Sequence, residues 1–187
     1  MDYNKTIIYG GGIVTNKREI YLAGGCYWGT EKYMSNVKGV LETAVGFANG
    51  KTERPTYEQV CKENTDHAET VHIIYDADEL PLSAMLKLFW KIIDPTSINQ
   101  QGEDIGRQYR TGVYYQNDED KEIILASVAE LQKEYDKPIA VEVCPLEMFW
   151  PAEEYHQKYL NKNPNGYCHV PWDLIDWVET IDPKEYK

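Results

Sequence analysis

One cysteine lies in a sequence context that favours chemistry. Cys26 follows Gly24-Gly25 and precedes Tyr27-Trp28-Gly29. Residues 19–23 predict a strand and residues 30–35 predict a helix, so the thiol is expected at a strand-to-helix turn. The N–H groups and partial positive charge of a helix N-terminus favour a thiolate, the nucleophilic form of cysteine. The alternative is a buried cysteine in a tight turn, but the glycines, the aromatic residues and the predicted helix start together favour a reactive thiol.

Three further features could act together with this cysteine. Glu69 lies where a polar loop meets an apolar strand, so burial could keep its carboxyl protonated, as a general acid requires. The long polar loop 101–110 carries Asp104 and Tyr109, and loops of this length are often functional. Cys168 lies in a flexible tail, from which it could reach a second cysteine and form a disulfide. The alternatives are a solvated glutamate, a surface connection and a stray exposed cysteine.

The elements that must position these groups alternate along the chain. Residue periodicity and turn signals predict strands over 41–47, 69–75, 111–115 and 139–143, and helices over 57–63, 83–93, 118–135 and 152–160. Ser83 is the predicted N-cap of its helix. We expect an α+β two-layer sandwich with a ferredoxin-like core sheet, helices packed on that sheet, and a long irregular C-terminal coil from Asn161 onward. The pattern alone does not give the strand order.

Composition limits the class of protein. A chain of 187 residues with 42% hydrophobic and 27% charged residues suits one soluble globular domain. The net charge of -12 argues against a nucleic-acid partner. We expect no membrane association, because no run of about 18 apolar residues and no secretory signal is present. The four cysteines form no C-x-x-C pair, which disfavours structural zinc and fits a reduced, cytoplasmic protein.

Taken together, the motifs resemble those of the peptide methionine sulfoxide reductases of A type. Members of that family carry Gly-Cys-Phe-Trp-Gly-x-Glu at the active cysteine, and residues 25–31 of this chain resemble that motif. The resemblance continues through residues 55–57, 67–69, 94–95, 101–104, 108–110 and 159–168. It covers about residues 18–168, which we expect to be a single catalytic domain. A leader over 1–17 would precede this domain, and a C-terminal tail over 169–187 would pack on it or extend from it.

The resemblance implies the reaction and a role for each matching residue. Cys26 resembles the nucleophile that attacks the sulfoxide sulfur, and Glu69 resembles the acid that protonates the sulfoxide oxygen. Tyr57 and Tyr109 resemble the phenols that hydrogen-bond this oxygen. The products are methionine and a sulfenic acid on Cys26. Cys168 resembles the resolving cysteine that then forms a disulfide with Cys26.

The resemblance also implies the substrate and the partners. Tyr27 and Trp28 resemble the pocket for the terminal methyl group, Asp104 resembles a substrate-positioning carboxylate, and His156 and Tyr159 would line the same cleft. The substrate would be the S epimer of methionine sulfoxide, in oxidised proteins and as the free amino acid, because each epimer has its own reductase type. Thioredoxin, or dithiothreitol in vitro, would reduce the disulfide. We expect a monomer without cofactor or metal.

The chain departs from the family pattern at several positions. Tyr27 replaces the usual Phe, and its hydroxyl needs a partner or water and could tighten or polarise the methyl pocket. Asp66 replaces the usual Gly, and its charge could raise the pKa of Glu69. Ile93 stands where a His is common, which we interpret as packing. No cysteine follows Cys168, so the chain resembles members with one resolving cysteine.

Two rival functions make different predictions. A Cys-His acyl-transfer enzyme would pair Cys26 with His67 or His156, would act on esters or amides and would not need Cys168. A non-catalytic module that binds oxidised methionine or a metal would show no turnover with dithiothreitol. A B-type reductase is disfavoured because it would be expected to carry zinc-binding C-x-x-C pairs. The remaining cysteines, at positions 61 and 144, are predicted to lie in the core.

Overall fold

The computed structural model describes residues 8–9, 12–13 and 16–186. Two very short strands, β1 (Ile8–Tyr9) and β2 (Gly12–Ile13), pair with each other in antiparallel fashion. Most of the leader predicted over 1–17 lies outside the described residues.

Six strands form one mixed sheet. The strands that follow β2 in the chain are β3 (Lys17–Ala23), β4 (Val40–Ala48), β5 (Ala68–Asp76), β6 (Gln100–Gln101), β7 (Asp104–Ile105), β8 (Gly112–Tyr115), β9 (Glu142–Pro145) and β10 (Phe149–Pro151). The order across the sheet is β10-β4-β5-β3-β8-β9, while β6 and β7 pair separately. Neighbouring strands of the sheet are antiparallel, except that β8 and β9 are parallel.

Within the described residues, six α-helices connect and cover the strands. They are α1 (Tyr27–Ser35), α2 (Tyr57–Lys62), α3 (Leu82–Phe89), α4 (Asp118–Gln132), α5 (Tyr159–Lys162) and α6 (Trp172–Thr180). Side-chain hydrogen bonds cap the N-termini of two of these helices. Thr56 and Gln59 form a capping box at α2, and the Asn117 side chain accepts a hydrogen bond from the backbone N–H of Asp120 at α4. In the part of the chain that the structure describes, no helix is long and apolar enough to cross a membrane.

The main core lies between one face of the sheet and the helices. Alternate residues of β5 point to that face, so Val71, Ile73 and Tyr75 are fully buried among residues of α1 and α3. Glu69 belongs to the same alternating set, and the pleat therefore directs a carboxyl into an apolar interior. The other face carries a smaller cluster that includes Tyr21 and Tyr114.

The prediction of a mixed α+β protein is confirmed, and the strands around β3, β4, β5 and β8 lie close to their predicted positions. The strand predicted over 139–143 instead runs from Glu142 to Pro145. Ser83 is not the N-cap of α3, because Pro81 occupies that position and already lacks the N–H that a helix start leaves unpaired.

The C-terminal third differs most from the prediction. The expected coil from Asn161 onward is wrong for residues 172–180, which form α6 and bury Ile175 and Val178 in the main core. The helix predicted over 152–160 is also wrong. The Gln157 side chain there bonds to the backbone of Val45 in β4, and Lys158 adopts a left-handed conformation, so the chain makes a short 3-10 turn before α5 begins.

Candidate active site

The Cys26 turn has the predicted geometry. Cys26 is the N-cap residue of α1, directly after β3 and the two glycines. Gly25 has φ +78, and a Cβ built on it would lie 2.6 Å from the Cβ of Gln101, so the turn requires glycine. The Thr30 hydroxyl donates to the carbonyls of Gly24 and Cys26 at 3.0 and 3.3 Å. The backbone that presents the thiol is therefore fixed by local bonds.

The resting thiol of Cys26 is protonated, contrary to the expected thiolate. Cys26 is 6% exposed, and burial raises its pKa well above the ordinary value. The nearby carboxyl of Glu69 raises this pKa further, while the backbone N–H groups of Trp28 and Gly29 lower it by less. The helix N-terminus thus acts in the expected direction, but desolvation outweighs it.

Glu69 is a buried acid whose carboxyl bonds to the catalytic turn. Its side chain is 1% exposed, and Oε2 accepts a hydrogen bond from the Tyr27 backbone N–H at 3.1 Å. Oε1 is buried without a hydrogen-bond partner. Burial raises the pKa of Glu69 to about 8; the Tyr27 N–H opposes this shift and the Asp104 carboxylate adds to it. The carboxyl is therefore mostly protonated at neutral pH, as a general acid must be.

Asp66 is not the charge that acts on Glu69. Its carboxylate pairs with Lys51 at 3.1 Å and with Arg107. Burial alone would raise the pKa of Asp66, but its bonds to these two cations outweigh burial and hold the pKa below the ordinary value. Asp66 has φ +61, a left-handed conformation in which glycine is the least strained residue.

Five of the predicted site residues form one aromatic cluster. The Trp28 ring stacks on Tyr159 with centroids 3.8 Å apart and planes at 13°. Trp28 Nε1 donates to His156 Nδ1 at 3.1 Å, which assigns the imidazole proton to Nε2. The His156 ring in turn lies 4.5 Å from Tyr57 and 5.5 Å from Tyr27, centroid to centroid. These rings form a continuous apolar wall beside the turn that holds the thiol.

The phenols of the site are neutral hydrogen-bond donors. Burial raises the pKa of Tyr57 and of Tyr109, and the Glu69 carboxyl raises both further. The hydroxyl of Tyr27 is buried and has no hydrogen-bond partner, so the departure from Phe leaves a polar atom that the protein does not satisfy.

The C-terminal segment passes over the same turn. The Tyr167 hydroxyl donates to Asp104 Oδ2 at 2.9 Å, and Cys168 Sγ donates to the Val170 carbonyl at 3.2 Å. A Cβ built on Gly29, one turn after Cys26 in α1, would lie 3.2 Å from Cys168 Sγ. The structure thus brings Cys168 and Asp104 to the site. The contacts of Tyr167 were not predicted, although its position beside Cys168 was a signal.

The remaining cysteines, histidines and Ile93 occupy varied surroundings. Cys61 is exposed, so its assignment to the core is wrong, whereas Cys144 is partly buried against the smaller cluster. Ile93 is buried in the main core, which confirms the packing interpretation. In the described part of the chain, Cys26 has no hydrogen bond to an imidazole, as a Cys-His enzyme would need. His67 Nε2 is hydrogen-bonded to the Thr52 carbonyl, and His156 Nδ1 accepts a hydrogen bond from Trp28 Nε1.

This arrangement can protonate a small ligand and present a nucleophilic sulfur to it. A neutral carboxylic acid and two phenols would stabilise and protonate an oxygen, and the nucleophile would be the Cys26 thiol at the start of α1. The aromatic wall gives an apolar surface for a methyl or thioether group. Among the described residues, no group of three His, Cys, Asp or Glu side chains is arranged to hold a metal ion.

Comparison with known proteins agrees with this chemistry. The family model described as peptide methionine sulfoxide reductase matches residues 18–181. A peptide methionine sulfoxide reductase MsrA of Lachnoclostridium phytofermentans is 61% identical over 153 residues, which cover 82% of this chain and 92% of the relative. An MsrA of Clostridium perfringens is 56% identical over 156 residues, or 83% of this chain and 99% of the relative.

Solved structures share the fold. Reduced Saccharomyces cerevisiae Mxr1 matches with a TM-score of 0.79 and 37% identity, covering 83% of this chain and 92% of that one. Methionine sulfoxide reductase A of Corynebacterium diphtheriae matches with 0.74 and 33%, covering 83% and 84%. A structure of Mxr1 in complex with Trx2 has a TM-score of 0.56, covers 77% and 85%, and at 24% identity supports the fold alone. With its acid, thiol and aromatic wall in place, the chain belongs to the peptide methionine sulfoxide reductase family, A type, and is a thiol-dependent oxidoreductase.

Proposed function

We propose that this enzyme reduces the S epimer of methionine sulfoxide to methionine, both in oxidised proteins and as the free amino acid. One observation carries the proposal: Glu69 is a fully buried carboxyl with a pKa near 8, bonded to the backbone that directly follows Cys26. A sulfoxide oxygen leaves only when it is protonated, and this acid is protonated at the pH where the enzyme must work.

The first half-reaction converts Cys26 to a sulfenic acid. The Cys26 sulfur attacks the substrate sulfur to form an S–S bond, while Glu69 protonates the sulfoxide oxygen, to which Tyr57 and Tyr109 donate hydrogen bonds, and this oxygen leaves as water. Water then attacks the Cys26 sulfur, the S–S bond breaks, and methionine leaves. Methionine sulfur is reduced by two electrons, and Cys26 is oxidised by two electrons to a sulfenic acid. Because the Cys26 thiol is protonated at rest, its proton must move as the attack occurs. This protects the thiol from oxidation while no substrate is bound.

The aromatic wall supports selection of one epimer. A sulfoxide sulfur carries a methyl group, an oxygen, a longer chain and a lone pair, so fixing the first two decides which epimer presents its sulfur to the thiol. Tyr27 and Trp28 hold the methyl group against the rings of His156 and Tyr159. Asp104, which accepts a hydrogen bond from Tyr167, orients the rest of the substrate.

The second half-reaction returns the enzyme to its thiol form. Cys168 attacks the sulfenic acid of Cys26 to form a disulfide and water, and thioredoxin reduces this disulfide by exchange. The position of Cys168 Sγ against Gly29, one turn from Cys26, supports this pairing. No bound cofactor is required, because the electrons enter through thiols.

We extend the proposal to the organisation of the molecule. The order β4-β5-β3-β8, with α1 after β3 and α3 after β5, supports describing these strands as a ferredoxin-like core to which β10 and β9 are added. We propose a monomeric catalytic domain over 18–168, on which the tail over 169–187 packs. The four free cysteines suit a reducing compartment such as the cytoplasm.

Turnover of separated epimers tests the proposal. The S and R epimers of a methionine sulfoxide peptide analogue are assayed with thioredoxin and its reductase as electron donors. We expect turnover of S alone, loss of turnover in Cys26→Ser, and full turnover in the matched control Cys144→Ser, which replaces a thiol packed against the smaller cluster on the other face of the sheet. Turnover of both epimers, or of neither even with dithiothreitol, would refute the assignment.

A further inference from the structure

His169 is an imidazole that the reduction step leaves without a role. It directly follows Cys168 and packs over the catalytic turn. A Cβ built on Gly29 would lie 2.9 Å from His169 Nδ1, and one built on Gly25 would lie 3.4 Å from Nε2. Gly102 faces the ring from β6-β7, with the His169 Cβ 3.9 Å from its own built Cβ. The three glycines line a slot around His169, and Gly29 in particular leaves the space that the imidazole occupies, because a Cβ there would collide with Nδ1.

The sulfur of Cys168 shares this slot. Cys168 Sγ lies 3.2 Å from a Cβ built on Gly29, and His169 Nδ1 lies 2.9 Å from that same Cβ position. The sulfur and Nδ1 are therefore no farther apart than the sum of these two distances. Both ring nitrogens of His169 are buried, and among the described residues neither makes a hydrogen bond of normal geometry, although the ring lies near the Gly24 backbone. An unpaired buried polar group is costly, which indicates a partner that forms during the reaction.

The surroundings keep this imidazole neutral. Burial lowers the pKa of His169 below its ordinary value of 6.5, against the Asp104 carboxylate and the Gly24 backbone, which raise it. The other titratable groups around the slot are the Cys26 thiol, the Tyr167 phenol and the Cys168 thiol. Burial raises the pKa of Cys168, so this thiol needs a base before it can attack.

We propose that His169 is the general base of the resolving step. It accepts the Cys168 thiol proton while the Cys168 sulfur attacks the sulfenic acid of Cys26, and it returns that proton to the departing oxygen. The electron pair of the Cys168 sulfur forms the S–S bond, the S–O bond breaks, and the oxygen leaves as water. No other oxidant or reductant takes part. The inference rests on the proposed function, because it requires a sulfenic acid on Cys26.

A single-turnover experiment without reductant separates the two steps. The S epimer is mixed with excess enzyme, and methionine, disulfide and dimedone-trapped sulfenic acid are measured against time. In His169→Gln we expect methionine to form at the wild-type rate, while disulfide forms about 100-fold more slowly and sulfenic acid accumulates. The matched control is His72→Gln, because His72 lies on the other face of the sheet, stacked on Tyr21. This control should leave both rates unchanged.

The pH dependence distinguishes a base from a spacer. With His169 neutral, the wild-type rate of disulfide formation should be nearly flat between pH 6.5 and 8.5. In His169→Gln it should follow the thiolate fraction of Cys168 and rise about tenfold per pH unit. A variant that is slowed with an unchanged flat profile, or is not slowed, would overturn the proposal. If His169→Gln does not fold, a tenfold rise per unit in the wild-type protein overturns it by itself.

Failure of the proposed function is recognised separately. If the wild-type enzyme forms no methionine from either epimer, the function is wrong and the inference falls with it. If methionine forms but Cys168→Ser still yields an intramolecular disulfide of Cys26 with another cysteine at the wild-type rate, the reductase assignment survives and the role of His169 is refuted.

Discussion

Replacing Glu69 by Gln should stabilise the protein at high pH while it abolishes proton donation. The pKa of Glu69 is raised from an ordinary 4.5 to about 8. Because the folded pKa lies above the unfolded one, the folded state holds an extra proton between these values. Stability from this group is therefore complete below pH 4.5 and is lost as the pH rises through 8. At about 1.4 kcal/mol per pKa unit, ionising Glu69 in the fold costs on the order of 5 kcal/mol.

Glutamine has the shape of the protonated acid and does not ionise. Its carbonyl can accept the Tyr27 N–H that Oε2 accepts now. The free energy of unfolding of Glu69→Gln minus that of wild type should therefore rise by about 4 kcal/mol between pH 5 and pH 9, since only a small part of the change lies below pH 5. Urea unfolding of both proteins at several pH values measures this difference, in which all other titrating groups cancel.

The same ionisation should appear in catalysis. Wild-type kcat/KM should fall above pH 8, at the pH where the stability difference levels off, and Glu69→Gln should lose about 100-fold or more at pH 7. The matched control is Glu154→Gln, because the Glu154 side chain is 90% exposed. This control should keep kcat/KM at pH 7 close to the wild-type value. A Glu69→Gln difference equal at pH 5 and pH 9 would refute the assignment of a buried, proton-holding acid.

Three further changes test single contacts. Tyr27→Phe should raise the free energy of unfolding by about 1 kcal/mol, because it removes a buried hydroxyl without a partner; a loss of stability in urea unfolding would contradict this. Asp66→Gly should leave the midpoint of the pH–rate profile in place, since two cations already balance that carboxylate; a shift of one unit would show that its charge reaches the acid. Trp28→Phe should raise KM about fivefold, because it loses the hydrogen bond to His156 but keeps the stack on Tyr159; unchanged steady-state kinetics would refute a role for that bond.

Local signals were sufficient for the centre of the site. The strand, glycines and helix around Cys26 are written in consecutive residues, and the period of two in β5 directs Glu69 inward with its apolar neighbours. The prediction that the helix N-terminus lowers the pKa of Cys26 was also correct in direction, but this pKa depends more on how much water the fold removes from the thiol. Desolvation is a property of the packed molecule, so no local pattern could reveal that it would prevail.

Long-range contacts decided the parts that were missed. The Gln157 amide binds the backbone of β4, more than a hundred residues earlier, and this ends the predicted helix. The apolar residues of α6 recur at helical spacing, yet the preceding run of Pro and Asn made coil the more natural interpretation. His169 and Tyr167 gain importance only because the tail folds back over the catalytic turn, which one sequence does not reveal.

The edges of the six-stranded sheet bear on solubility. Among the described residues, the sheet ends on one side with β10, three residues long, and on the other with β9, four residues long. Each of these strands finishes in a proline, Pro151 and Pro145, which has no N–H to offer to another chain. A family that acts on peptides meets extended backbones that could extend an open sheet. Short, proline-terminated edges should let such an enzyme handle damaged chains without becoming a template for their aggregation.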